Sequence, residues 1–260
     1  MPFDETLFAG AAPYYARYRV PYPQPVIDDI VSHYKLDGTG RLLDLGCGPG
    51  TLTLLLAPHF SQVLAVDLQP EMIDEARESS APNVEWHVMR AEEVPVDFGR
   101  FDVVSCGSSF HWMERDLVLR RIQSDFLAPG GGVAMAGGGG AWFEGPLDWH
   151  QLITRLLKKY LGEERRAGSG HSRWVSGERF QETLRRNGWR VEVEQDYDVP
   201  IEWTVDTIVG HLWSSSFSAR PHFGDRVDEF EREVRAELPL LRPDGVFPET
   251  ASYGLVCGRP

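Results

Sequence analysis

The chain has 260 residues, 42% of them hydrophobic, with a formal net charge of −13 and only three cysteines. That length suits one large α/β domain, or a core carrying sizeable insertions, and the apolar content excludes general disorder. The acidic balance argues against a protein that grips nucleic-acid phosphates, while Cys47, Cys106 and Cys257, odd in number and far apart, set up neither a disulfide framework nor a thiolate metal site.

The N-terminal "MPFDETLFAG" lacks a basic segment followed by an apolar one, so it does not read as a secretory signal. No apolar run approaches the length of a membrane span. Cys257 stands fourth from the end, but Gly258 and Arg259 are not aliphatic, which removes the prenylation reading. A soluble, cytoplasmic protein without a membrane partner is expected.

In chain order, residues 41–46 predict a buried strand, 51–57 a helix and 62–67 a second strand ending at an acid. A helix over 70–79, strands over 84–89 and 101–106, a helix over 113–126 and a strand over 132–136 follow. Strands alternating with helices at this spacing indicate a parallel sheet. After the four glycines of 137–140 the pattern loosens. Trp149, Leu152, Ile153, Leu156, Leu157 and Tyr160 recur at helical spacing over 147–161. "GEERRAGSGHSR" reads as a polar loop. Then come a helix over 176–187, a strand over 189–199, helices over 204–214 and 224–238, and a last strand over 250–257. The expectation is a single domain: a cofactor-binding core over 8–140, a helical cap over 141–248 and a closing strand within 249–260.

The stretch "LLDLGCGPG", 42–50, carries the chemistry. Gly46, Gly48 and Gly50 let the backbone turn sharply and touch a ligand at the carboxyl edge of the sheet. A dinucleotide fingerprint requires glycine at 51, where Thr51 stands, and a Walker loop requires a lysine that is absent. Asp67 lies 23 residues after Asp44, near the offset of a carboxylate that accepts ribose hydroxyls. Ala91 and Glu92 in "RAEEVP" are placed to border an adenine ring. Ribose, adenine and close backbone approach without phosphate machinery point to an adenosine-type cofactor.

"LLDLGCGPG", "VLAVDLQPEM", "RAEEVP", "FDVVSCGSSFHWM" and "LAPGG" resemble the successive motifs of class I S-adenosylmethionine-dependent methyltransferases, closest to the small-molecule group called type 11. "YYARYRVPYP", 14–23, resembles the lead-in of that group with Val20 intervening between Arg19 and Pro21. The resemblance covers residues 8–140 and implies a Rossmann-like, doubly wound, mostly parallel seven-stranded sheet with helices on both faces, and S-adenosyl-L-methionine as cofactor. It implies that Gly46, Cys47, Gly48 and Gly50 contact the methionine portion, and that Asp44 fixes that loop or meets the amino group through water. Asp67 would bind the ribose, Leu68 and Met72 would sandwich the adenine, and Ala91 and Glu92 would border its edge. Arg19 would meet the cofactor carboxylate, with Cys106 and Gly107 near the methionine.

His111, just after the fourth strand, either removes an acceptor's proton or packs beside Trp112. Tyr14, Tyr18, Trp112, Trp142, His171 and Trp174 are candidate acceptor contacts. No metal site is expected. The expected partner is a small-molecule acceptor methylated at O, N or C, neutral or cationic in view of the net charge, for a monomer or homodimer. Two rivals stand beside it: a cofactor-retaining cyclase or regulatory binding protein on the same fold, and an NAD-dependent oxidoreductase, disfavoured by Thr51.

Overall fold

The computed structural model describes residues 7–79, 81–138, 142, 145–167, 170–172 and 179–260. Strand β1, Arg41–Leu45, buries four of its five residues. A strand buried in that way needs neighbours and cover on both faces. It pairs in parallel with β2 (Gln62–Asp67) on one side and β4 (Phe101–Gly107) on the other. Outside β2 lies β3 (Val84–Val88) and outside β4 lies β5 (Leu127–Gly138), both parallel. β9 (Phe247–Arg259) runs antiparallel to β5, and β8 (Arg190–Trp203) follows it at the edge. The seven-stranded order is β3-β2-β1-β4-β5-β9-β8.

The period of two along each strand separates the faces. Leu64 and Val66 share a core with Leu43, Leu45, Val104 and Cys106, covered by Val118 and Leu119 of α5 (Arg115–Arg121) and Leu184 of α7 (Phe180–Arg186). Ala65, between them, packs with Cys47 and with Ile73 of α4 (Pro70–Arg77).

Several elements differ from the sequence expectation. The helix expected over 51–57 is α3, only Thr53–Leu56, running into a 3₁₀ turn at Ala57–His59, because Pro58 has no N–H to continue it. The helix expected over 113–126 is divided into α5 and a π-helical turn, Ile122–Phe126, and a 3₁₀ turn, Phe110–Trp112, stands just before it. Two N-terminal helices were not expected: α1 (Ala12–Tyr18) and α2 (Gln24–Tyr34), the latter opened by Pro25 in its first turn. The expected polar loop contains a hairpin of β6 (Arg165–Ala167) and β7 (Gly170–Ser172).

The chain divides into two compact units. One comprises residues 21–138, 177–198 and 252–260 and holds the sheet. The other comprises 1–20, 139–176 and 199–251. The expected boundaries placed 8–20 with the core and 177–198 with the cap, and each belongs to the other unit. The reasons are local. Tyr18 of α1 lies on Gly210 of α8 (Val205–Trp213), so tightly that a Cβ there would stand 2.3 Å from its ring. Leu184 and Trp189 join the sheet core instead. The second unit has its own core, in which Trp149, Ile153, Leu156 and Leu157 of α6 (Asp148–Leu161) pack with Leu212 and Trp213 of α8 and Phe230, Val234 and Leu238 of α9 (Val227–Leu241). Among the described residues no helix is long and apolar enough to cross a membrane.

Candidate functional site

β1 has one neighbour that leads the chain to β3 and another that leads it to β5, so the strand order reverses at its carboxyl end. Ligands of open α/β sheets bind at such a switch point, and the loop of Gly46, Cys47, Gly48 and Gly50 occupies it. Its amides are satisfied inside the protein. Gly46 and Cys47 both donate to the Val66 carbonyl (2.8 and 3.0 Å), Gly48 donates to Asp67 Oδ2 (2.8 Å), and Gly50 donates to the Cys47 carbonyl (3.0 Å). Pro49 has no N–H. A phosphate cradle needs outward-facing amides, and this loop turns its donors inward.

Two glycines have different reasons to be there. Gly46 has φ +67°, and a Cβ on it would fall 2.6 Å from the Cβ of Ser109, so packing forbids any side chain. Gly48 has φ +55°, and a Cβ on it would meet nothing within 4 Å. Packing leaves Gly48 free; its bare Cα presents backbone to open space.

The two acids also divide. Asp44 is fully buried and accepts hydrogen bonds from Thr53 Oγ1 (2.5 Å) and Ser105 Oγ (2.6 Å), one on each carboxylate oxygen. Burial pushes its pKa up to about 6 against the pull of those two hydroxyls. Of its two expected roles it performs the first, tying β1 to α3 and β4. Asp67 ends β2 only partly buried. Its Oδ2 accepts from Gly48 and its Oδ1 accepts from the amide of Gln69 at 2.9 Å. Burial raises its pKa, opposed by the backbone amides of Gln69, Gly48 and Leu68. Each carboxylate oxygen accepts about two hydrogen bonds, so each retains a position for another donor.

Next along the same edge, Leu68 is half-buried and Met72 buried in the first turn of α4. Ala91 and Glu92 form a 3₁₀ turn after β3. The Glu92 carboxylate accepts from the amide of Glu114 (2.8 Å), while Arg121 donates to the carbonyls of Glu92 and Val94. Cys106 is buried, and burial raises the thiol pKa of both Cys106 and Cys47, which keeps them protonated. Gly107 lies where a Cβ would approach the Tyr22 hydroxyl at 3.0 Å. Ser108 follows with φ +52°, a conformation rare outside glycine, and its Oγ accepts from Tyr22 (3.3 Å). Thr53, Ser105, Ser108 and Arg121 were missed from sequence, since a hydroxyl or an arginine, even inside a motif as Ser105 and Ser108 are, gives no signal of which distant group it meets.

His111 is exposed, with its ring 4.4 Å from that of Trp112, itself half-buried, and stacked 6.4 Å from Phe180. The remaining candidates belong to the second unit. Tyr14 and Tyr18 stack on each other at 6.3 Å in α1. Trp142 is only 3% exposed and donates from Nε1 to Glu249 (3.2 Å) among Trp149, Trp203 and His211, so it serves that unit's core and does not line an open pocket. Arg19 donates to the Ser214 carbonyl (3.1 Å) and Ser215 Oγ (3.2 Å). His171 pairs through its backbone with Arg166 in the hairpin, and Trp174 lies outside the described residues.

Residues 42–131, all within the sheet unit, match a family model described as a methyltransferase domain. An uncharacterised methyltransferase-like protein of Schizosaccharomyces pombe is 29% identical over 149 residues, 56% of this chain and 56% of its own length. The ubiquinone biosynthesis O-methyltransferase of Xanthomonas campestris is 34% identical over 110 residues, 40% of this chain and 45% of its own. The chain thus spans about half the length of these curated relatives. A solved structure of a type II methyltransferase from Anaeromyxobacter dehalogenans aligns with a TM-score of 0.58 at 20% identity, covering 93% of this chain and 97% of that one. At that identity the likeness speaks for the fold.

Proposed function

We propose that this chain, which belongs to the class I methyltransferase family, transfers the methyl group of S-adenosylmethionine to an O, N or C atom of a small-molecule acceptor. The observation that carries the reading is the pairing of Gly48 and Asp67. A carboxylate held in place by two backbone amides, with lone pairs remaining on both oxygens, suits a vicinal diol. It stands beside a glycine whose Cα faces open space and a loop with no amide left for phosphate. A nucleoside without a phosphate tail at its 5′ position fits this donor and acceptor set; a dinucleotide does not.

The residues present fit that cofactor at its nucleoside end. Asp67 would hold the ribose hydroxyls, Leu68 and Met72 would flank the base, and the 3₁₀ turn of Ala91 and Glu92, fastened by Arg121, would border its edge. S-adenosylmethionine supplies a methyl group already activated on a sulfonium. The protein's task is then mainly to hold the reactants in line, an effect that alone is worth several kcal/mol of barrier, on the order of 7–11 for ideal alignment. Asp44, with both oxygens engaged, fixes the loop. His111 is the exposed imidazole after β4 that would take a proton from an acceptor that must lose one; an acceptor that is already nucleophilic needs none. The X. campestris relative, a methyltransferase of ubiquinone biosynthesis by name, supports a small-molecule acceptor. The net charge of −13 disfavours a nucleic-acid one.

Titration calorimetry with S-adenosylhomocysteine and with NAD tests the reading. Saturable binding of the first and none of the second is expected. Binding of NAD alone would overturn it. Transfer of a radiolabelled methyl group into pooled small molecules, read by extraction and chromatography, then separates a methyltransferase from a protein that merely retains the cofactor.

A further inference from the structure

The π-helical turn opens directly after Arg121 and seats that side chain. Arg121 Nε stands 3.3 Å from Asp125 Oδ2, and the guanidinium carbon lies 5.0 Å from the centre of the Phe126 ring. These partners are four and five places further along the chain. An α-helix turns about 100° per residue, so it would carry the fifth residue about 140° around the axis, off the face of Arg121. The wider i→i+5 winding of a π turn brings the fourth and fifth residues to either side of the first. The guanidinium thereby gains an aromatic face as well as an anion.

So seated, the fork of Arg121 meets the 3₁₀ turn of Ala91–Glu93 after β3. One terminal nitrogen donates to the Glu92 carbonyl and the other to the Val94 carbonyl, the latter at 2.6 Å. A planar guanidinium holds two carbonyls at once in fixed positions, which the ammonium of a lysine on its flexible stem does not. From the other end of α5, the amide of Glu114 donates to the Glu92 carboxylate (2.8 Å). Within the turn the Glu93 amide donates to the Arg90 carbonyl (3.0 Å). A turn of three residues forms too few bonds to fix itself, so its placement depends on Arg121 and Glu114. Its entrance is tied to the acid assigned to the ribose: the Met89 amide, two residues before the turn, donates to the Asp67 carbonyl (2.9 Å).

We propose that Arg121 is a positioning residue for base selection: by holding the carbonyls of Glu92 and Val94 it sets how closely the turn approaches the base, and so the preference for adenine over a 6-oxopurine. This role rests on the methyl-transfer reading, because the ligand is the nucleoside of the cofactor. Selection turns on one proton. N1 of adenine is an acceptor beside an amino group, whereas N1 of hypoxanthine carries a hydrogen beside a carbonyl. A turn amide within hydrogen-bonding distance of N1 donates to the first and meets a second donor in the second. A site built around a hydrogen bond rejects an analogue that cannot form it, provided the polar group is held in place.

The test uses the full chain with 5′-methylthioadenosine and 5′-methylthioinosine, which differ only at that edge of the base. On calorimetry the wild type should bind the adenine nucleoside about tenfold tighter or more. Arg121→Met, which keeps an apolar stem over Phe126, should lose about tenfold for the adenine nucleoside and keep its affinity for the inosine one. Arg121→Lys should recover part of that loss. A fall in both affinities by the same factor, with their ratio kept, makes Arg121 a support of the fold alone and overturns the proposal. If Arg121→Met does not fold, Asp125→Asn carries the test, since Asp125 is partly exposed and its loss loosens the guanidinium without removing it. It should lower the ratio by about threefold, the scale of a partly exposed ion pair, and an unchanged ratio overturns the proposal. Equal binding of the two nucleosides by the wild type also overturns it and leaves the methyl-transfer reading in place. Failure of the wild type to bind either nucleoside or S-adenosylhomocysteine overturns both.

Discussion

Asp44→Asn separates a structural acid from a functional one. In the folded protein burial raises the Asp44 pKa from 3.8 to about 6. Between those values the native state binds a proton that the unfolded chain has released, so stability falls as pH rises through the window from about 4 to about 6. At about 1.4 kcal/mol per pH unit the ionised carboxylate costs the fold roughly 3 kcal/mol by neutral pH. Asparagine carries no such proton. Its carbonyl accepts from one of the Thr53 and Ser105 hydroxyls, and its amide donates to the other after that hydroxyl rotates. Urea denaturation of both proteins at intervals from pH 4 to pH 8 should show the difference in unfolding free energy moving in favour of the variant by about 2.5 kcal/mol, most of it below pH 7. Affinity for S-adenosylhomocysteine should change by less than about threefold, since both oxygens of Asp44 are engaged inside the protein. A stability difference that stays constant across that range would refute the buried, proton-binding Asp44, and a large loss of cofactor affinity would refute its purely structural role.

Asp67→Asn removes the charge and one acceptor from the site that holds Gly48 and Gln69, and should lower S-adenosylhomocysteine affinity by about tenfold or more on calorimetry; an unchanged Kd removes the ribose assignment. Gly48→Ala adds a methyl group to open space at positive φ, so it should cost only about 1–2 kcal/mol in chemical denaturation while weakening the cofactor. Gly46→Ala must displace Ser109 and should cost more stability than Gly48→Ala; a reversed order would contradict the loop geometry. His111→Ala should leave cofactor affinity intact and slow transfer by about a hundredfold or more to acceptors that lose a proton, with loss of the acid limb of the pH–rate profile; the same slowing on an acceptor that is already nucleophilic would make the ring structural.

The parallel part of the sheet was legible because it is written in local signals. Residues 62–67 are a short apolar run that ends at an acid, and β2 spans those residues. The six apolar positions of 147–161 recur at helical spacing, and all six are buried in α6. Where a local rule competed with another, the boundary moved: Pro58 cut α3 short, and a π-helical turn interrupted the run after α5. The N-terminal tyrosines illustrate the reverse. "YYARYRVPYP" was read as a motif, yet its first residues form a helix whose Tyr18 is seated on Gly210, nearly two hundred positions away.

By itself the sequence determined the alternation of strands and helices from β1 to β5, the glycine loop and the acid at the end of β2, because each depends on periodicity, φ preference or a fixed spacing along the chain. Only the tertiary structure decided which of these groups remain available. Asp44 and Asp67 look alike in sequence, each near the end of an apolar strand, but one is closed off by Thr53 and Ser105 while the other keeps free lone pairs. Trp142 and Arg19 were both candidates for ligands; one is packed among indoles and the other is left with neutral partners. Partners distant in the chain set burial and hydrogen bonding, and burial and hydrogen bonding set whether a polar group holds the protein together or meets a ligand.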